Sequence, residues 1–164
     1  RAIAGEGAGG PYAGWRSRGY LPHCDERGLV QHIIFGLADA LPHSAPAGVG
    51  GALDRAEWAD HELDRGLGSR LLATPDHAAE VQRCLLRDDG QRYALAAWCI
   101  MPTHVHVVAE QFDAHPLGDI VQAWKSVTSH AINKAETRKG RFGAASISIA
   151  SCARKRNSRG LWST

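Results

Sequence analysis

The run Met101-Pro102-Thr103-His104-Val105-His106-Val107-Val108 constrains the fold of this chain more than any other segment. Val105, Val107 and Val108 anchor it in a core, and its alternation is that of a β-strand. Side chains on a strand point to opposite faces in turn, so His104 and His106 share a face, two residues apart. Two imidazoles so placed can grip one divalent metal ion. For a bare His-x-His pattern the plainer outcome, a strand with two solvated or singly satisfied histidines, is the commoner one. The surroundings of this run shift that balance.

The 164 residues suit one domain. With 44% hydrophobic and 22% charged residues the composition is that of a globular chain with a core. A net charge of +2 gives no global basic field, so any nucleic-acid contact must come from local stretches. Cys24, Cys84, Cys99 and Cys152 form no CxxC pair and are expected to be reduced, mostly buried and cytoplasmic. No apolar run reaches the ~18 residues of a membrane span. The chain opens on Arg1 and its sole methionine is Met101, which suggests a fragment or a processed, mis-started or decayed gene product.

Residues 1–18, rich in glycine and small side chains, should form a loose lead-in. Leu29 to Leu37 reads as a strand, Leu41 to Gly51 as a loop, and Leu53 to Leu67 as a helix closed by Gly66 and Gly68. Thr74 and Pro75 supply the N-cap and first position of a helix with Ala78, Val81, Leu85 and Leu86 on its apolar stripe. Arg92 to Met101 is a second strand, turned by Pro102-Thr103 into the histidine strand. Leu117 to Ala135 is the clearest helix, with Leu117, Ile120, Val121, Trp124, Thr128, Ala131 and Ile132 on one stripe. Lys125, Ser126, His130 and Lys134 lie toward its other side, where a solvated face is the plain reading. This order suits an α+β fold, a ferredoxin-like antiparallel sheet with helices packed on one face.

Several segments together resemble the REP-associated tyrosine transposases, relatives of the insertion-sequence-200 type within the HUH (His-hydrophobe-His) single-strand endonucleases. They are Arg18 to His23, Phe35 to Pro42, Ala97 to Val108, and Trp124 to Thr128 with Ile132-Asn133. The block Ala-Trp-x-x-Met-Pro-x-His-Val-His is the most specific. Thr103 stands where the family usually has Asn. The resemblance implies a domain over residues 19–142 and a divalent ion, Mg2+ or Mn2+, on His104 and His106. It also implies a single-stranded or hairpin DNA substrate, cut by a tyrosine on a later helix through a 5′-phosphotyrosine. Lys125 and Ser126 become candidate phosphate contacts. No membrane partner is implied. Relatives of this fold occur as monomers and as dimers, so a homodimer is one of the assemblies it allows.

After Phe142 the family continues roughly Trp-x-x-Glu-Tyr-Phe-Asp-Arg-Phe, whereas residues 143–164 here lack acidic residues and strand or helix periodicity. The plain reading is a basic, disordered tail. The genetic code offers a sharper one. Read one nucleotide early, the codon of Gly143 can give Trp, that of Ser146 Glu, Ile147 Tyr, Ser148 Phe, Ile149 Asp and Ala150 Arg. This points to a frameshift near Phe142. In the shifted frame Thr164 can give the tyrosine of the family's Val-x-Tyr context. Tyr12, Tyr20 and Tyr93 do not fit that place, and no third metal ligand is evident, so the chain is expected to be catalytically inactive. The alternative is a non-catalytic module that binds hairpin DNA. Histidine-triad nucleotide hydrolases would need a histidine at Val108, and two-motif phosphoesterases a second His-x-Thr/Ser, which is not found.

Overall fold

The computed structural model describes residues 14–17, 22–25, 29–42, 47–49, 52–136 and 149–155. Strands β1 (Gly14–Ser17) and β2 (Pro22–Asp25) form a two-stranded antiparallel sheet. Then come β3 (Leu29–Gly36), α1 (Ala52–Asp64), a 3₁₀ turn (Leu71–Ala73), α2 (Pro75–Arg87), β4 (Tyr93–Ile100), β5 (His104–Gln111), α3 (Leu117–Ala135) and β6 (Ile149–Lys155). The main sheet is antiparallel with strand order β4-β5-β3-β6. Together with the helix order this is the expected α+β, ferredoxin-like arrangement, except that the helices are not all on one face: α3 packs on the Phe35 face and α1 on the other, where Gly36 admits Leu63.

The pairing of β3 with β5 sets the two faces of the sheet. Phe35 lies opposite Val105, Ile33 opposite Val107 and Gln31 opposite Ala109. Paired residues of antiparallel strands point the same way, so these six share one face, and all are buried. Trp124 of α3 packs there against Phe35, with ring centroids 5.9 Å apart. Tyr93 meets Trp124 edge to face at 5.1 Å. The Tyr93 hydroxyl donates to the Leu85 carbonyl at 2.6 Å and accepts from Trp124 Nε1 at 3.0 Å. One buried phenol thus ties α2, β4 and α3 together.

Helix α3 has the bounds its stripe predicts, and every stripe residue is buried except Ala131, which is half-buried. In α2, Thr74 holds the N-cap position without a side-chain capping bond, and Pro75 opens the helix. Its stripe is rotated from expectation: His77, Val81, Cys84 and Leu85 are buried, and Leu86 is 45% exposed. The 3.6-residue period puts Cys84 with Val81 and Leu85 over α3 and carries Leu86 round to solvent. Val108 lies on the histidine side of β5, half-buried, because an odd–even count separates it from Val105 and Val107. Cys84 is buried as expected. Cys99 is exposed, because β4 is an edge strand of the sheet.

Two segments expected to lack structure carry strands. Gly14–Ser17, within the lead-in, pairs with β2. Ile149–Lys155, within the tail, pairs along the free edge of β3. Strand addition at an edge is driven by main-chain hydrogen bonds, so a segment without apolar alternation can complete a sheet. Tyr12, Tyr20, the Phe142 junction and residues 156–164 lie outside the described residues. Among the described residues no helix is long and apolar enough to cross a membrane.

The end of α1 is fixed by the glycines that close it. Gly66 and Gly68 have φ of 64° and 88°, a region that disfavours side chains. Ser69 then binds the Asp39 carboxylate through its backbone N–H at 2.8 Å and its hydroxyl at 3.0 Å. On the far side of the sheet from Trp124, a Cβ on Gly36 would lie 3.2 Å from Leu63 Cδ2 and 3.1 Å from His104 Cβ. The last turn of α1 therefore presses on the histidine end of β5. The Tyr93→Phe variant should lose about 1–3 kcal/mol of stability, since it leaves the buried Trp124 N–H unpaired. Urea unfolding measures this, and an unchanged midpoint would show that the phenol is not the tie described.

Candidate metal centre

His104 and His106 project from the face of β5 opposite the Trp124 core. Their Nε2 atoms are 2.9 Å apart, with the rings inclined at 71°. Each ring is held from behind at its other nitrogen. Thr103 Oγ1 lies 2.9 Å from His104 Nδ1. His32 Nε2, from β3, lies 3.0 Å from His106 Nδ1. The His32 and His106 rings are parallel within 7°, with centroids 5.2 Å apart. A face-to-face stack would bring the centroids much nearer than this for so short an N···N distance. The rings lie edge to edge, joined by an in-plane hydrogen bond.

Asp64, the last residue of α1, brings Oδ1 to 3.8 Å from His104 Nε2. One ligand atom each of Asp64, His104 and His106 falls within 4.8 Å of the other two. The His104 side chain is 2% exposed and that of Asp64 64%, so the cluster opens to solvent on its carboxylate side. One turn earlier on α1, Asp60 has Oδ1 buried without a hydrogen-bond partner among the described residues.

Burial holds the His32 and His104 imidazoles below the ordinary histidine pKa, and the neighbouring His106 adds to this. The negative charge of Asp60 opposes the shift at both rings, joined by Asp64 at His104. Both rings are thus kept neutral, the state in which imidazole offers a lone pair to a metal. Two imidazoles with a carboxylate are a donor set suited to a divalent transition metal.

The structure brings together His104 and His106, as the strand pattern requires. It does not bring Lys125 and Ser126 to them. Both lie on α3, which covers the other face of the sheet. Lys125 is half-buried, and burial lowers its pKa. Ser126 is exposed. Sequence reasoning missed His32, Asp60 and Asp64. His32 is legible in retrospect, as the one imidazole of its strand. Asp60 and Asp64 stand four apart on one helix face, but which sheet face they meet depends on tertiary packing.

No family model and no curated protein matches the chain. Among solved structures it is similar to one titled a "putative transposase" from Deinococcus radiodurans R1. The two are 17% identical with a TM-score of 0.42, and the match covers 82% of each chain.

The lowered histidine pKa values fix a pH dependence. Well above the ordinary histidine pKa of about 6.5 both rings are neutral in the folded and the unfolded chain, and contribute no slope. Below it the unfolded chain takes up protons that the folded centre resists, so stability falls as pH drops toward the folded values. The urea midpoint should be lower at about pH 5 than at about pH 7.5, and His104→Gln should reduce the difference. An equal or higher midpoint at the acid pH would contradict the assignment.

Proposed function

We propose that this chain is a DNA-transposition-type protein of the HUH kind, with a divalent ion held by His104, His106 and Asp64. One observation carries the reading. Both Nε2 atoms face each other at 2.9 Å while both Nδ1 atoms are engaged by Thr103 and His32. If each ring keeps its proton on the engaged Nδ1, two lone pairs converge on one point, and a cation there relieves their repulsion. A carboxylate at the open side adds the negative charge a divalent ion needs. Imidazole ligands favour Mn2+ over Mg2+, which prefers oxygen donors throughout. When bound, such an ion polarises a phosphodiester oxygen as a Lewis acid.

The residues of the chain itself would bind and orient single-stranded, hairpin-forming DNA. Lys125 and Ser126 are suited to phosphate contacts on α3, across the sheet from the histidines, and so would touch a different part of the DNA. No tyrosine among the described residues reaches the centre. Among the described residues Tyr93 is the sole tyrosine. It is 1% exposed. Its hydroxyl is engaged by Leu85 and Trp124, on the face away from the histidines. On this reading the described domain retains metal and DNA binding, and holds no tyrosine placed to cut a bound strand. A purely non-catalytic hairpin-binding module makes the same contacts, and differs only in never having had the tyrosine. We read residues 143–164 as the product of a shifted frame, which would account for that loss in a cytoplasmic protein of this kind.

Mn2+ titration followed by electron paramagnetic resonance should show one bound ion per chain. His104→Ala or His106→Ala should weaken it by more than about 100-fold, beyond what loss of an outer partner costs. Asp64→Asn should weaken it less, because its carboxylate is more solvated. Hairpin DNA should bind with an affinity that falls as salt rises, and leave no protein–DNA adduct stable to denaturing gel electrophoresis. An adduct would show an active nucleophile. Absence of DNA binding at low salt would remove the DNA reading. Sequencing the gene across the Phe142 codon should reveal one added or lost base, and an intact frame would favour the binding-module reading.

A further inference from the structure

The His106 imidazole can carry its proton on either nitrogen, and only the form with Nδ1–H leaves Nε2 free to bind an ion. On β5, His104 Nε2 can donate to His106 Nε2 or accept from it, and so leaves both forms open. The decision lies on the neighbouring strand. His32 Nε2 stands 3.0 Å from His106 Nδ1 in a common ring plane, a geometry that rewards one N–H directed along the line between them. If His106 donates, His32 accepts at Nε2 and keeps its own proton on Nδ1. Asp60 supports this direction. Its charge acts on His32, and its buried Oδ1 has acceptor capacity that no described residue uses. The opposite direction would leave Nε2–H of His106 pointing at His104 Nε2, 2.9 Å away, in the place an ion would take.

We infer that His32 is a positioning residue that locks His106 in its Nδ1–H form and aims Nε2 at the ion. This rests on the metal-centre reading for its purpose, but the lock itself is a property of the metal-free chain. His32 thus reaches His106 across two strands, with the Asp60 charge on α1 acting on His32. A metal-ligating histidine is commonly oriented by an outer partner in this way. Here the outer partner is a second imidazole, which is itself both donor and acceptor.

The test combines two readouts on the full chain. Long-range ¹H–¹⁵N correlation spectra at a pH where the rings are neutral report the tautomer of His106 without any metal. Mn2+ affinity reports the consequence. In the wild type His106 should be in the Nδ1–H form. In His32→Ala it should shift toward Nε2–H, and Mn2+ should bind about 10–100-fold more weakly. His32→Gln, which keeps an acceptor, should restore both, and Asp60→Asn should show a smaller shift of the same sign. Circular dichroism identifies any variant that fails to fold, and the wild-type spectrum then decides alone. A wild-type His106 in the Nε2–H form overturns the inference. So does His32→Ala with unchanged tautomer and affinity, while Mn2+ binding lost in His106→Ala leaves the metal reading standing. If the wild type binds no Mn2+, that reading fails, and the tautomer spectra still decide the role of His32.

Discussion

The antiparallel register of β3 against β5 is the constraint on which the rest depends. A slip of one residue would turn Val105 and Val107 to the outer face and drive His104 and His106 against Trp124. The observed register satisfies both faces at once. It pairs apolar with apolar beneath α2 and α3, and it sets Gly36 beside His104 and Ile34 beside His106. Gly36 leaves space for Leu63, so the last turn of α1 can reach the histidines. The geometry of the histidine pair is thus a product of core packing on the opposite side of the same strands.

A cluster of three imidazoles in a half-buried site is costly if any ring is charged. Two features limit that cost. The rings satisfy one another and Thr103 through hydrogen bonds, so few polar atoms are left without partners. The two carboxylates on α1 bring negative charge to the side from which a cation would approach. Their placement follows from the loop that ends the helix. Gly66 and Gly68 allow the left-handed backbone, and Asp39 clamps Ser69. Sequence that reads as loop and turn punctuation therefore controls where Asp64 stands.

The parts legible in the sequence are those governed by local periodicity. The β5 alternation and the α3 stripe each follow from spacing along one element, and both match the structure closely. The burial of Leu86 was misread because an apolar residue at the border of a stripe can fall on either side of it. The β1 and β6 strands were missed because edge pairing uses backbone atoms, which carry no side-chain signature. The site was half legible for the same reason. His104 and His106 are neighbours in sequence, whereas His32 and Asp64 reach them only through a register and a helix packing angle. Lys125 and Ser126 were grouped with the histidines by resemblance, and the sheet separates them.

The two ends of the imidazole series differ in a way that suits an ion that comes and goes. At one end stands the Thr103 hydroxyl, both donor and acceptor and free to rotate. Without an ion, Thr103 can donate to His104 Nδ1 while His104 donates through Nε2 to His106. To bind an ion at Nε2, His104 would carry its proton on Nδ1 instead, with the Thr103 hydroxyl as hydrogen-bond acceptor. At the other end His32 is a planar ring in a strand, with one edge against His106 and the Asp60 charge acting on it. That end has no rotor and holds one proton arrangement throughout. An asparagine at position 103 would offer either its oxygen or its amide N–H to His104, and would have to flip to exchange them. On the proposed metal reading, the threonine would make His104 the adaptable ligand, and His106 the fixed one against which an ion is positioned.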